Sequence, residues 1–199
     1  MDPRYHDVFR HQIYRECRFA LMAVEGINSA LQVVREAEAD KNENGPWNLP
    51  RREEGVWQLW YSIEAFLRAT GNISKVFWPP RPREKELQAA TEKRGVTLRR
   101  ILQIGEDSPL KSRVLRDHFE HYDERIDEWY RDEKGRGDLI DSNLWGRKHL
   151  AKRKGYLRNF DPDEWTLFFV GDEVELKPLI AAVESLLPKV SSPLVDLGT

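Results

Sequence analysis

The feature that most constrains the fold is a long series of regularly spaced apolar residues near the N-terminus. The series runs from His6 to Ala39 at three- and four-residue steps, through Ile13, Cys17, Ala20, Leu21, Val24, Ile27, Leu31 and Val34. This spacing places the apolar side chains on one face of an α-helix, and that face must be buried against other elements. A helix of such length predicts a mainly helical protein.

A second helix is predicted after a loop. The Asn, Gly and Pro residues of Asp40–Pro50 are typical of a loop, and a broad apolar face predicts a central helix from about Glu53. Gly71 and Asn72 interrupt this pattern, which continues for about one more turn. The pair Pro79–Pro80 then forbids further helix.

Three shorter helical segments are expected next. Residues 83–95 are rich in helix formers, and Gly95 is suited to the position just beyond a helix end. Residues 97–104 predict a short helix. Ser108 or Asp107 can then cap a helix whose first residue is Pro109. We expect this last helix to continue to about Arg131, with Leu115, Phe119, Tyr122, Ile126 and Trp129 facing the core.

The C-terminal part of the chain has the pattern of a β-hairpin followed by a helix. Residues 164–170 and 173–176 are strand-like, the pair Gly171-Asp172 suits the turn, and Lys177-Pro178 opens a final helix. We therefore predict a mainly α fold, a helical bundle with a small C-terminal β-hairpin and a final helix. The expected organisation is a bundle over 1–131, a basic loop with little regular structure over 132–160, and a hairpin plus helix over 161–199, packed on the bundle as one domain.

Composition narrows the classes of function. The 32 basic and 34 acidic residues nearly cancel, so no global charge draws the protein to nucleic acid. The single Cys17 excludes an internal disulfide and fits a reducing compartment. No run of about 18 apolar residues and no secretory leader is apparent, so the expectation is a cytoplasmic protein without a membrane partner.

Residues 116–121, with the sequence RDHFEH, combine an Arg, an adjacent Asp and a His five positions after the Arg. This pattern resembles the motif of the HEPN superfamily of helical bundles, in which a polar residue follows the Arg and a His lies four to six residues after it. The setting near the start of a late helix is also similar. The resemblance covers residues 6–131 and not the C-terminal hairpin.

The resemblance implies metal-independent cleavage of RNA, without a cofactor, at a cleft shared by two protomers. Arg116 would stabilise the phosphate charge, and His121 would exchange protons with the ribose 2′-hydroxyl or the leaving oxygen. Asp117 would orient Arg116, with His118 and Tyr122 as secondary candidates. A toxin or phage-defence setting is implied too, whereas an antitoxin-type partner stays open. The residue types suit this chemistry, since guanidinium is a permanent cation and imidazole exchanges protons near neutral pH.

Helical geometry adds a condition to this hypothesis. Arg116 and His121 are five residues apart, so on an ideal helix they lie about 140° apart around the axis. One helix alone does not bring the two side chains together well, whereas two facing helices of a two-fold dimer can. The motif therefore predicts a homodimer if it is catalytic.

Two other interpretations of the same helix stay open. His118 and His121 could together bind a metal ion, but two His without a third ligand nearby are a weak pattern, and no metal site is assigned. Alternatively Arg116 could pair with Glu120, and Arg125 with Glu128, which gives an ordinary charged surface. The chain would then be a non-catalytic helical interaction module.

Local patches supply the remaining candidates for nucleic-acid contact. The segment from Arg147 to Arg158 contains no acidic residue, and its cations could bind a phosphate backbone or form a solvated loop. The candidates for RNA binding are Arg147, Lys148, Lys152, Arg153 and Lys154. An aromatic group could stack bases but has the helical spacing of core residues. It consists of Trp57, Trp60, Tyr61 and Trp78.

Overall fold

A computed structural model describes most of the chain, namely residues 3–40, 48–82, 84–112, 121–133, 141–147, 157–169 and 172–191. The elements within these ranges are α1 (Pro3–Ala39), α2 (Leu49–Phe77), α3 (Lys85–Leu102), a 3-10 turn (Pro109–Lys111), α4 (Tyr122–Glu133), β1 (Asn143–Leu144), β2 (Arg158–Asp161), β3 (Thr166–Phe169), β4 (Asp172–Glu175) and α5 (Leu176–Val190). The expectation of a mainly helical protein with a C-terminal hairpin and a final helix is confirmed. No helix in the described ranges has the length and apolar character needed to cross a membrane.

The chain forms two compact units, and each unit draws on several parts of the sequence. The first is drawn from residues 1–22, 66–113 and 178–199, and the second from 23–65 and 114–177. Helices α1, α2 and α5 each contribute residues to both units.

In the first unit, α2 continues through the point where the sequence predicts an interruption. Gly71 is buried inside the helix, which ends only at Phe77. A glycine in a helix costs about 1 kcal/mol relative to alanine. Burial of Phe66, Ile73 and Phe77 on the same helix outweighs that cost.

Helix α3 is likewise continuous where two helices are expected. Gly95 does not end it, because the helix runs to Leu102 and Gln103 then adopts a left-handed conformation with φ 53°. The backbone N–H groups of Gln103 and Ile104 donate to the carbonyls of Arg100 and Arg99, at 3.3 and 2.8 Å. Gly95 is a point of close approach to α2 instead.

The helix expected to begin at Pro109 is short. Pro109–Lys111 forms a single 3-10 turn, Ser108 makes no side-chain capping bond, and Ser112 is extended with ψ 132°. The prediction of a helix continuing from Pro109 is therefore wrong at Ser112. Of the predicted apolar stripe, the described part is the half-buried Ile126 in α4. Leu115, Phe119 and the side chains of Tyr122 and Trp129 lie outside the described residues.

The second unit contains a four-stranded sheet in the order β1-β2-β3-β4. The predicted hairpin is present, with β3 antiparallel to β4, but Asp172 is not part of the turn as predicted, because it is the first residue of β4 and pairs with Phe169. Strand β2 is antiparallel to β3, and β1 is parallel to β2. Strand β1 and most of β2 lie in the segment 132–160 that the sequence analysis treats as a loop. The buried apolar side chains of β2, of β3 and of the residue before β2 are Leu157, Phe160, Leu167, Phe168 and Phe169.

Side-chain hydrogen bonds hold the short strand β1 in position. The buried Asn159 accepts a hydrogen bond from the backbone N–H of Trp145 at 3.1 Å and donates one to its carbonyl at 2.9 Å. The buried Asp161 accepts one from the backbone N–H of Arg147 at 2.6 Å. Two polar side chains of β2 thus provide hydrogen-bond partners for the backbone groups that follow β1. The two-residue strand is too short to pair these groups through the sheet.

Candidate functional site

His121 is the member of the predicted catalytic set whose side chain the structure describes. It lies directly before α4 and is exposed, with its Nδ1 atom 3.5 Å from Oε1 of Glu124. The two residues are three positions apart, so the first turn of α4 brings the carboxylate to the imidazole. The sequence analysis did not name Glu124, although this spacing could have indicated it.

The contact with Glu124 favours one tautomer of the imidazole. A carboxylate facing Nδ1 favours a proton on that nitrogen and leaves the lone pair of the neutral ring on Nε2. Nε2 of His121 has no partner among the residues described. His121 can therefore present Nε2 to a hydroxyl group as a base, or as an acid when protonated.

The other predicted catalytic residues cannot be positioned relative to His121. Arg116, Asp117 and His118 lie outside the described residues. Tyr122 is the first residue of α4, but its side chain is not described. The convergence of Arg116 and His121 at one phosphate stays a prediction.

The described surface of α4 around His121 is acidic. Its exposed side chains include the carboxylates of Asp123, Glu124, Asp127 and Glu128. Exposed carboxylates repel a phosphate, although salt screens the repulsion over about 10 Å. A phosphate next to His121 therefore needs a nearby cation, which is the role that the HEPN resemblance gives to Arg116.

Arg147, a predicted RNA-binding residue, is held by carboxylates. Its Nε and Nη2 atoms lie 2.9 Å from Glu164 and 2.7 Å from Glu173, and its guanidinium lies over the ring of Phe168. The hydrogen bonds to Glu173 and Glu164 raise the pKa of Arg147 above its ordinary value. A phosphate would have to compete with both carboxylates. Lys148, Lys152, Arg153 and Lys154 lie outside the described residues.

Arg158, at the end of the same basic stretch, is part of a partly buried network. Its Nε and Nη2 atoms each donate to Asp141 at 2.8 Å, and Nη1 donates to Glu64 at 2.9 Å. The guanidinium carbon lies 5.3 Å from the ring centre of Trp60. Local sequence could not reveal this role, because the partners are 17 and 94 positions away.

The aromatic group divides into core and surface residues. Trp60 and Trp78 are buried, as their helical spacing predicts. Trp57 and Tyr61 are 65% and 76% exposed, one turn apart on α2. Only these two could meet a base or another ligand without rearrangement.

A metal site is not formed by the described side chains, since no group of three or more His, Cys, Asp or Glu residues among them could hold an ion. The chemistry that the described part of the site can supply is proton transfer by His121 next to a carboxylate. Comparisons with protein-family models, with curated proteins and with solved structures find no match to this chain.

Proposed function

We propose that this chain is a metal-independent ribonuclease of the HEPN type, in which His121 transfers protons and Glu124 orients its imidazole. The observation that carries the proposal is the exposed His121 side chain with Nδ1 3.5 Å from a carboxylate. This distance is long for a hydrogen bond, and contacts of this kind commonly tighten when substrate binds.

The reaction follows from the roles of the two groups. Nε2 of His121 takes the proton of a ribose 2′-hydroxyl, and the 2′-oxygen attacks the adjacent phosphorus. Arg116 stabilises the added negative charge on the phosphoryl oxygens. The bond from phosphorus to the 5′-oxygen breaks, and that oxygen takes a proton from solvent, to which His121 returns the proton that it removed. The products are a 2′,3′-cyclic phosphate and a 5′-hydroxyl, and neither a metal ion nor a cofactor is needed.

The same proposal includes a homodimer. The HEPN resemblance implies that two protomers place Arg116 and His121 at one shared cleft, so a second copy supplies the missing partner. Mixing inactive Arg116→Ala protein with inactive His121→Ala protein should then restore cleavage, because one of the two shared sites of the heterodimer is intact. A mixture as inactive as its two components would contradict the shared site.

The assay for the proposed activity uses mixed RNA in excess EDTA. Wild-type protein is expected to cleave it and leave cyclic phosphate ends, and His121→Ala should cleave at least about 100-fold more slowly, since general acid-base catalysis contributes about that much. His11→Ala is the matched control, because His11 is also exposed but lies on α1. Equal rates for wild-type and His121→Ala would remove the catalytic assignment.

A second candidate function is a non-catalytic interaction module, favoured by one observation. The exposed carboxylates on the described face of α4 suit a basic protein partner better than RNA, because opposite charges favour encounter. This candidate predicts no RNA cleavage by the wild-type protein in the same assay.

A further inference from the structure

A cavity in the first unit brings together two cationic side chains from distant parts of the chain. It has a volume of about 300 Å³ and is lined by Arg10, Ile101, Leu102, Gln103 and Lys189. None of the described residues that line it is acidic. The charge of this cavity is therefore positive, while Ile101 and Leu102 give it an apolar wall.

The hydrogen-bonding capacity of Arg10 is largely unused. Its Nε atom is buried and has no hydrogen-bond partner among the described residues. Its Nη1 atom lies 3.6 Å from Asp7, beyond ordinary hydrogen-bond distance, and the side chain is 30% exposed. A guanidinium has five donors, and a buried donor without a partner costs free energy. Arg10 can thus donate hydrogen bonds to an additional, anionic partner.

Lys189 is engaged in a similarly weak way. Its Nζ atom donates to the carbonyl of Gln103 at 3.4 Å, close to the limit for a hydrogen bond. An ammonium group has three donors, so this contact leaves Lys189 able to bind a ligand in the cavity. The left-handed Gln103 follows the last residue of α3, so the carbonyl end of this helix also borders the cavity, and the charges of Arg10 and Lys189 must outweigh its partial negative charge.

We propose that this cavity binds a small molecule carrying a phosphate dianion, with Arg10 and Lys189 as the two cationic contacts. Guanidinium and ammonium groups are the side chains that proteins use to bind phosphate, and their two charges match the dianion. The volume suits a ligand of a few heavy atoms beyond the phosphate, with its less polar part against Ile101 and Leu102. The proposal is independent of the ribonuclease proposal, because none of these residues belongs to the site at His121.

The test is isothermal titration calorimetry of the full chain at low ionic strength, with three probes. Ribose 5-phosphate and inorganic phosphate are expected to bind, and ribose without phosphate is not. Tighter binding of ribose 5-phosphate than of inorganic phosphate would identify a phosphate ester as the ligand, and equal binding would identify free phosphate. Raising the salt concentration should weaken both. Binding of ribose as tight as that of ribose 5-phosphate would overturn the proposal.

Four variants connect the binding to the two cations. Arg10→Gln and Lys189→Gln should each raise the Kd at least about tenfold, as expected for loss of a charge-assisted contact. The charge-preserving Lys189→Arg should bind within a few-fold of wild type. Arg18→Gln is the control, because Arg18 is exposed on α1 and does not line the cavity.

Thermal unfolding of each variant shows whether it folds. If Arg10→Gln does not fold, the binding measured with Lys189→Gln decides the test. The proposal would be overturned if the wild-type protein bound neither phosphate compound at about 5 mM, because a Kd above that concentration is too weak for a specific site. The same Kd for wild type and for the folded Lys189→Gln variant would do so as well. RNA cleavage does not enter either readout.

Discussion

The carbonyl oxygen of Phe77 lies 2.5 Å from the position that a Cβ atom would occupy on Gly95. The same carbonyl accepts a hydrogen bond from Arg99, one turn further along α3. The backbone of α2 and the middle of α3 therefore meet at a point where only glycine fits. A residue that the sequence suggests as a helix end is in fact the contact between two helices.

Gly95→Ala should destabilise the protein, although alanine is the better helix former. The gain in helix propensity is about 1 kcal/mol, whereas forcing a methyl group against backbone typically costs about 1–3 kcal/mol. Urea unfolding should show a lower free energy of unfolding. Gly105→Ala is the control, because there the nearest atom is the Oδ1 of the exposed Asp107, which can move. A stabilised Gly95→Ala variant would contradict the close approach.

Arg158 and Arg147 should differ in their contribution to stability, although each binds two acidic residues. The side chain of Arg158 is 14% exposed and that of Arg147 is 47% exposed. We expect Arg158→Met to cost about 2–3 kcal/mol, because it removes two charge-assisted hydrogen bonds to the half-buried Asp141. Arg147→Met should cost clearly less, because solvent screens ion pairs at the surface. Chemical denaturation of both variants measures the difference, and equal losses would contradict the structure.

Glu106 should contribute to stability only when it is ionised. Hydrogen bonding by Lys111, the largest cause, and by Trp78, together with the charge of Arg99, lowers the pKa of Glu106 below its ordinary value. A group whose pKa is lower in the folded state stabilises the fold above its unfolded pKa, and the contribution disappears as pH falls through the folded value. Glu106→Gln should thus lower the Tm at pH 7 more than at pH 3. A Tm difference that does not change between these pH values would argue against the network.

Cys17 should be unreactive in the folded protein. Burial, with the neighbouring Glu16 carboxylate as the smaller cause, raises the pKa of the Cys17 thiol to about 12. At pH 8 only about one thiol in ten thousand would then be ionised, and the thiolate is the reactive form. Labelling with a thiol-specific reagent should be slow in native buffer and fast in urea. Rapid stoichiometric labelling of the native protein would show that the thiol is accessible.

Patterns that repeat along one element predicted its structure well. The apolar series of residues 6–39 predicted α1, which spans Pro3–Ala39, and strand-like residues on both sides of Gly171 predicted the β3–β4 hairpin. These signals are local, because helix and hairpin contacts join residues close in sequence.

Elements that depend on contacts between distant residues could not be predicted from local sequence. Glycine has the same low helix propensity wherever it stands, so the local sequence does not show whether Gly71 and Gly95 end a helix or lie inside one. Burial against other elements decides between these two positions. Strand β1 pairs with β2 across about a dozen residues, so neither strand has a local signal. The same distinction between local and distant contacts holds for the functional residues. Glu124 is one turn from His121 and could have been inferred, whereas the position of Arg10 and Lys189 in one cavity could not.

The most direct test of the account is the initial rate of RNA cleavage in EDTA by two variants of α4. Glu124→Gln and Asp127→Asn remove the same charge from exposed positions of one helix, but only Glu124 contacts His121. We predict that Glu124→Gln lowers the rate about 10- to 100-fold, as is usual for loss of a group that orients a functional His, and that Asp127→Asn leaves it within about twofold of wild type. Equal rates for the two variants, or no cleavage by the wild-type protein, would contradict the account.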